Sequence, residues 1–84
     1  MRLDKFLKLY RIIKRRTLAQ QACDDGFVLV NGRPAKSGKE LSQNDEVTVN
    51  FTQAGNRVRV KILRLRDGNV VSPEDISVTE EKLQ

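Results

Sequence analysis

The apolar pattern of this chain changes period at Gly26, and that change constrains the fold more than any other feature. Before it, Leu3, Phe6, Leu7, Tyr10 and Ile13 recur at intervals of three and four, the spacing of one face of an amphipathic helix. After it, the run 27–30 (FVLV) is apolar and rich in β-branched residues, and the runs 46–51 (EVTVNF) and 58–62 (VRVKI) alternate with period two, as half-buried strands do. With 84 residues the chain has room for one modest core and little beyond it. A helical beginning followed by strands therefore reads as an α+β unit.

Turn chemistry divides the two regimes further. A first helix should cover much of the opening dozen residues and end near Tyr10. A second should begin near Thr17, whose hydroxyl suits a helix cap, and stop at Gly26, which suits a left-handed position after the last turn. Leu18, Ala19, Ala22 and Cys23 would face the first helix. Asn31-Gly32 is a strong two-residue hairpin signal, Pro34 marks an edge or irregular return segment, and 37–38 and 43–45 supply further turns. The stretch 54–56 links the two later strands. The expected architecture is two short helices packed on a small antiparallel sheet over residues 1–66, followed by a flexible acidic tail over 67–84. Within that tail, Ser72-Pro73-Glu74-Asp75 has the chemistry of a helix start.

Charge is distributed unevenly along this plan. The net charge is +5, but residues 1–66 carry 15 Lys and Arg against 6 acids, whereas residues 67–84 carry 1 against 5. Among the first sixteen residues, Arg2, Lys5, Lys8, Arg11, Lys14, Arg15 and Arg16 face only Asp4. Such an excess exceeds what solubility requires and implies a polyanionic partner. An interval of three drifts about 60° per step around a helix, so these cations converge only if the chain turns after Tyr10. Arg15, Arg16 and Thr17 stand where the second helix begins, where free amides and guanidinium forks favour phosphate. Asp4 reads as a positioning partner for one of the cations. Arg33 and Lys36 extend the candidate surface. Arg57, Arg59, Lys61, Arg64 and Arg66 form a second set, but alternation with Val58, Val60 and Ile62 is what any half-solvated strand shows.

Several function classes recede on composition. One cysteine and no histidine leave no intramolecular disulfide, no Cys/His zinc site and no histidine base. Cys23 lies on an apolar helix face, as a small core residue would. No phosphate-binding Gly-rich loop, nucleophile elbow or metalloprotease motif occurs, so no catalytic residue, metal ligand or cofactor is assigned. The apolar runs are too short and too charge-interrupted to span a bilayer, and no signal-peptide core follows the basic start, so a cytoplasmic location is expected.

The combination of Arg2-Leu3-Asp4, Arg16 with Ala19, Gly26, Val30-Asn31-Gly32 and Asp45 resembles the S4-like RNA-binding domain over residues 1 to about 50. Two departures are Asn44 where that family often has Gly, and Arg15 where it often has Ser. The opening MRLDKFLK and the segment IKRRTLA are similar to the stand-alone RqcP-type proteins of bacterial ribosome-associated quality control, relatives of the small heat-shock ribosome-binding protein. The resemblance implies binding to ribosomal RNA and tRNA on the large (50S) ribosomal subunit carrying peptidyl-tRNA, while a partner protein adds alanine residues to the stalled chain. It implies a monomer off the ribosome. Arg2 and Arg16 would be the principal RNA contacts, supported by Lys5, Lys8, Arg11, Lys14, Arg15 and Thr17. Three alternatives stand beside it: a ribosome-assembly factor gripping the same kind of RNA, a helix-turn-helix DNA-binding regulator, for which Gln20 and Gln21 are the base-reading candidates, and an adaptor that binds an acidic protein through the same patch.

Overall fold

The computed structural model describes residues 1–66 and 68–83. Its first helix, α1, spans Leu3–Leu9, and its second, α2, spans Arg16–Asp24. Leu3, Phe6 and Leu7 are fully buried, which accounts for the position of α1: its one apolar stripe is the face it turns to the core. The helix closes with a Schellman motif. Arg11 N–H donates to the Lys8 carbonyl at 3.0 Å and Ile12 N–H to the Leu7 carbonyl at 2.9 Å, with Arg11 at a φ of 58°. The end of α2 repeats the motif with Gly26, at a φ of 83°, donating to Cys23 and Phe27 donating to Ala22.

Two expectations for α2 need correction. The helix starts at Arg16, so Thr17 sits inside the first turn and its hydroxyl does not cap it. Arg15 is the N-cap residue, in extended backbone and with no side-chain cap bond among the described residues. Leu18 does not face α1. It is 55% exposed, while Ala19 and Cys23, four apart, make the buried stripe.

Five strands form one antiparallel sheet in the order β2-β1-β3-β4-β5: β1 is Val28–Val30, β2 Arg33–Pro34, β3 Glu46–Phe51, β4 Asn56–Ile62 and β5 Ile76–Lys82. The inner face stacks Val28 opposite Val49, Val30 opposite Val47 and Val47 opposite Val60, all buried against the helices. Asn31 and Gly32, with φ of 53° and 83°, make the mirror-image turn whose twist suits a hairpin. Asn31 does more than turn. Its side-chain amide donates to Asp45 at 2.9 Å and its side-chain oxygen accepts from Glu46 N–H at 2.9 Å, which fixes the start of β3 against the β1–β2 turn. Asn44 has a φ of 75°, a conformation asparagine tolerates better than most residues, so the departure from glycine there leaves the turn intact.

The acidic stretch expected as a flexible tail instead joins the sheet. Ser72 caps a single 3₁₀ turn, Pro73–Asp75, through a capping box, and the chain then runs as β5 alongside the whole of β4. The helix-start chemistry is genuine, but the following 76–79 (ISVT) alternates, placing Ile76 opposite Ile62 and Val78 opposite Val60. Residues 67 and 84, at the two ends of that expected tail, lie outside the described residues.

Candidate nucleic-acid interface

Asp4 is fully buried and collects donors from both helices. Arg16 approaches it in a fork, Nε to Oδ2 at 3.1 Å and Nη2 to Oδ1 at 3.4 Å. Arg2 Nη2 donates to Oδ2 at 3.4 Å, Gln20 Nε2 to the same oxygen at 2.9 Å, and the Lys5 amide to Oδ1 at 2.8 Å. Burial alone would push the Asp4 carboxyl up. The hydrogen bonds from Gln20, Arg16 and the Lys5 amide, with the Arg16 charge, outweigh it and hold the group below the usual carboxylate range.

One buried carboxylate therefore fixes two guanidinium groups side by side. Nearly half of each side chain, 47% for Arg2 and 44% for Arg16, remains open to solvent. A guanidinium carries five donors, and Asp4 takes no more than two from either, so outward N–H groups remain on both. The loop at 37–40 completes the setting: Leu3 N–H donates to the Lys39 carbonyl at 2.9 Å and Asp4 N–H to the Ser37 carbonyl at 3.1 Å. A Cβ on Gly38 would lie 3.6 Å from Arg2 Nη2, in ordinary contact, so the loop backs the guanidinium without crowding it. Lys39 enters the neighbourhood by this route. Sequence reasoning missed it because nothing local in 36–40 reports that the loop packs on the start of α1.

The other cations divide. Lys36 follows β2 in the loop that braces α1, and Arg33 is exposed on β2 itself. Lys8, Lys14 and Arg15 are exposed and Lys5 is half-buried, on α1 and the turn into α2; Thr17 is exposed in the first turn of α2. Arg11 does not join the Asp4 cluster. It stands at the opposite end of α1 and lines a shallow groove with Leu9, Tyr10, Val70, Pro73 and Val78. The expected convergence therefore holds for Arg2 and Arg16 and not for the whole series.

The second set of cations is largely paired within the fold. Arg59 meets Glu81 at 3.4 Å, Arg66 donates to Asp75 at 2.7 Å and Arg57 Nε donates to the Asn50 side chain at 2.8 Å. The DNA-reading candidates are similarly engaged, Gln20 with Asp4 and Gln21 with Asp25 at 3.0 Å. Cys23 is buried, and burial, followed by the nearby Asp4 and Asp24 charges, pushes its thiol up to about 11, as befits an inert core residue. Among the described residues no group of His, Cys, Asp and Glu could hold a metal ion, and no helix is long and apolar enough to cross a membrane.

Comparison with known proteins agrees with this arrangement. Residues 1–47 match the S4 domain family, a span that contains the Asp4 cluster and the Asn31 turn. The chain is 48% identical over 67 residues to the RQC P-site tRNA stabilizing factor of Bacillus subtilis, covering 80% of this chain and 76% of that protein. It is 50% identical over 68 residues to the protein of the same name from Streptococcus pneumoniae, covering 80% and 74%. Among solved structures, trimeric Heat Shock Protein 15 of Vibrio cholerae superposes with a TM-score of 0.77 at 29% identity, over 94% of this chain and 81% of that one. On the S4 match and on identities near one half across most of each relative's length, the chain belongs to the S4 domain family and, within it, to the RQC P-site tRNA stabilizing factors.

Proposed function

We propose that this protein binds ribosomal RNA and tRNA together on a large ribosomal subunit carrying peptidyl-tRNA, and that it holds the tRNA in place while a partner extends the stalled chain with alanine. The observation that carries the reading is the pair of half-open guanidinium groups on the buried Asp4. Two positive forks held at a fixed separation suit neighbouring phosphates of a folded RNA, and rigidity matters because two RNAs must be gripped in one geometry. Arg2 and Arg16 are the principal contacts. Lys5, Lys8, Lys14, Arg15, Thr17, Arg33 and Lys36 extend the surface, and Arg11 reaches RNA from the far end of α1. The names of the bacterial relatives, which specify a P-site tRNA, support the choice of partner. The protein works as a clamp without chemistry of its own, as a cytoplasmic monomer when off the ribosome.

The test is sedimentation through a sucrose gradient of lysate in which stalled large subunits accumulate. The wild-type protein is expected with large subunits bearing peptidyl-tRNA, and Arg16→Ala at the top of the gradient. Wild-type protein that stays at the top would overturn the ribosomal reading; equal enrichment on subunits lacking tRNA would favour an assembly role.

A further inference from the structure

The outer face of the sheet, away from both helices, carries a row of cations, yet the acids around that row cancel most of its charge. Residues directly opposite in an antiparallel pair share a face. Val58, Val60 and Ile62 of β4 point inward, with Val60 and Ile62 buried, so Arg57, Arg59 and Lys61 point outward. Each is flanked on both sides. Arg57 lies between Asn50 and Glu81, Arg59 between Thr48 and Thr79, and Lys61 between Glu46 and Ser77. Arg59 closes a diagonal ion pair with Glu81 at 3.4 Å, and Arg57 is tied to the Asn50 side chain at 2.8 Å. Glu46 stands directly across from Lys61.

Three cations and two acids leave the row with a formal charge of +1, against +5 on the helical side, where Arg2, Lys5, Lys8, Lys14, Arg15 and Arg16 meet only Asp4 among the first sixteen residues. Arg59 and Glu81 are 44% and 41% exposed, so their bond adds little stability; the guanidinium stays as open to solvent as that of Arg16, and what Glu81 offsets is its charge.

We propose that Glu46 and Glu81 are specificity determinants: they mask the sheet cations, so that RNA is taken by the helical face alone and non-specific strands are refused a second, sequence-blind platform. The inference rests on the RNA-binding reading above. It also gives the acidic last strand a task, because β5 supplies one of the two masks while completing the sheet.

The test compares wild type with E46Q/E81Q, which keeps shape and removes only the two charges, on purified large-subunit ribosomal RNA and on polyuridylate across a salt series. The double variant is expected to bind polyuridylate about 5- to 10-fold more tightly near 50 mM salt, with a log–log salt slope steeper by about 0.7 for each phosphate newly contacted. Affinity for ribosomal RNA should change much less, so the ratio between the two falls. Adding Arg59→Gln to the double variant should reverse the gain. An unchanged ratio and slope in E46Q/E81Q, or a gain that survives Arg59→Gln, would overturn the proposal. Wild-type protein that binds neither RNA would instead overturn the RNA-binding reading itself, which keeps the two failures apart.

Discussion

The Tyr10 hydroxyl donates a 2.8 Å hydrogen bond to Asp75, a residue 65 positions further along the chain. The bond fastens the end of α1 to the turn that precedes β5. Asp75, only 1% exposed, also accepts from Arg66 Nε at 2.7 Å and from Ser72 N–H at 3.0 Å, and its own carbonyl takes the amides of Leu63 and Arg64. Among the described residues two aspartates are thus buried, one at each end of α1. Asp4 organises the cations; Asp75 holds the C-terminal segment in place.

Tyr10→Phe tests the second of these hubs. It removes one donor, retains the ring that packs 4.8 Å from Phe6, and leaves Asp75 with Arg66 and the Ser72 amide. Thermal unfolding should occur about 5 °C lower, the shift that one lost hydrogen bond produces in a domain of this size. RNA affinity should change little, since the principal contacts, Arg2 and Arg16, gather on Asp4 at the other end of the helix and Arg11 keeps its charge.

Acid should unfold the protein through both hubs. Burial opposes ionisation of Asp75, but the Arg66 hydrogen bond, the Ser72 amide, the Tyr10 hydroxyl and the Arg66 charge bring its carboxyl from an ordinary 3.8 to about 2. Asp4 is lowered as well, Gln20, Arg16 and the Lys5 amide outweighing its burial. A carboxyl depressed in the folded state stabilises that state above its unfolded value and loses the contribution as pH falls through the folded one. Stability measured by circular dichroism should therefore be level near neutrality and fall steeply between about 4 and 2. A curve that stays flat across that interval would show that neither hub contributes.

What the sequence made legible follows from where the determining physics is local. The helix pair, the Gly26 stop and the Asn31-Gly32 hairpin are set by periodicity and by residues suited to positive φ, all readable within a few positions. Asp4 was recognisable as a partner for cations because it is the lone acid among seven. That Gln20 would join it was not, because the contact requires the register of α2 on α1. Thr17 misled as a cap since its local chemistry is right, while the extended backbone that precedes the helix falls at Arg15, two residues earlier. The tail misled for the same reason: its acidity suggested solvation, while its pairing depends on β4, many residues earlier.

Arg11 occupies a left-handed position that glycine fills at the end of α2. Arg11→Gly should stabilise the fold by about 0.5–1 kcal/mol, because the native backbone is one that glycine adopts without strain. Urea unfolding should show a higher midpoint with an unchanged slope. If Arg11 also contacts RNA, as proposed, the same variant should lose affinity while gaining stability. That opposition separates a residue kept for binding from one kept for folding.

Gln20 separates contact from positioning at the site itself. Its amide donates to Asp4 at 2.9 Å and carries no charge, so Gln20→Leu removes a support beneath Arg2 and Arg16 and leaves every cation in place. Arg16→Ala removes a phosphate contact outright. In RNA titrations across a salt series, Arg16→Ala should therefore weaken binding and make the log–log slope shallower by about 0.7 to 0.9, the value of one phosphate neutralised. Gln20→Leu should weaken binding by about 3- to 10-fold, the cost of loosening a fork that must meet its target in one orientation, with the slope unchanged. The two outcomes differ in kind and not merely in size. If Gln20 instead read bases in a DNA groove, its loss would lower affinity for one duplex sequence and leave ribosomal RNA binding untouched, a result that the hydrogen bond to Asp4 argues against.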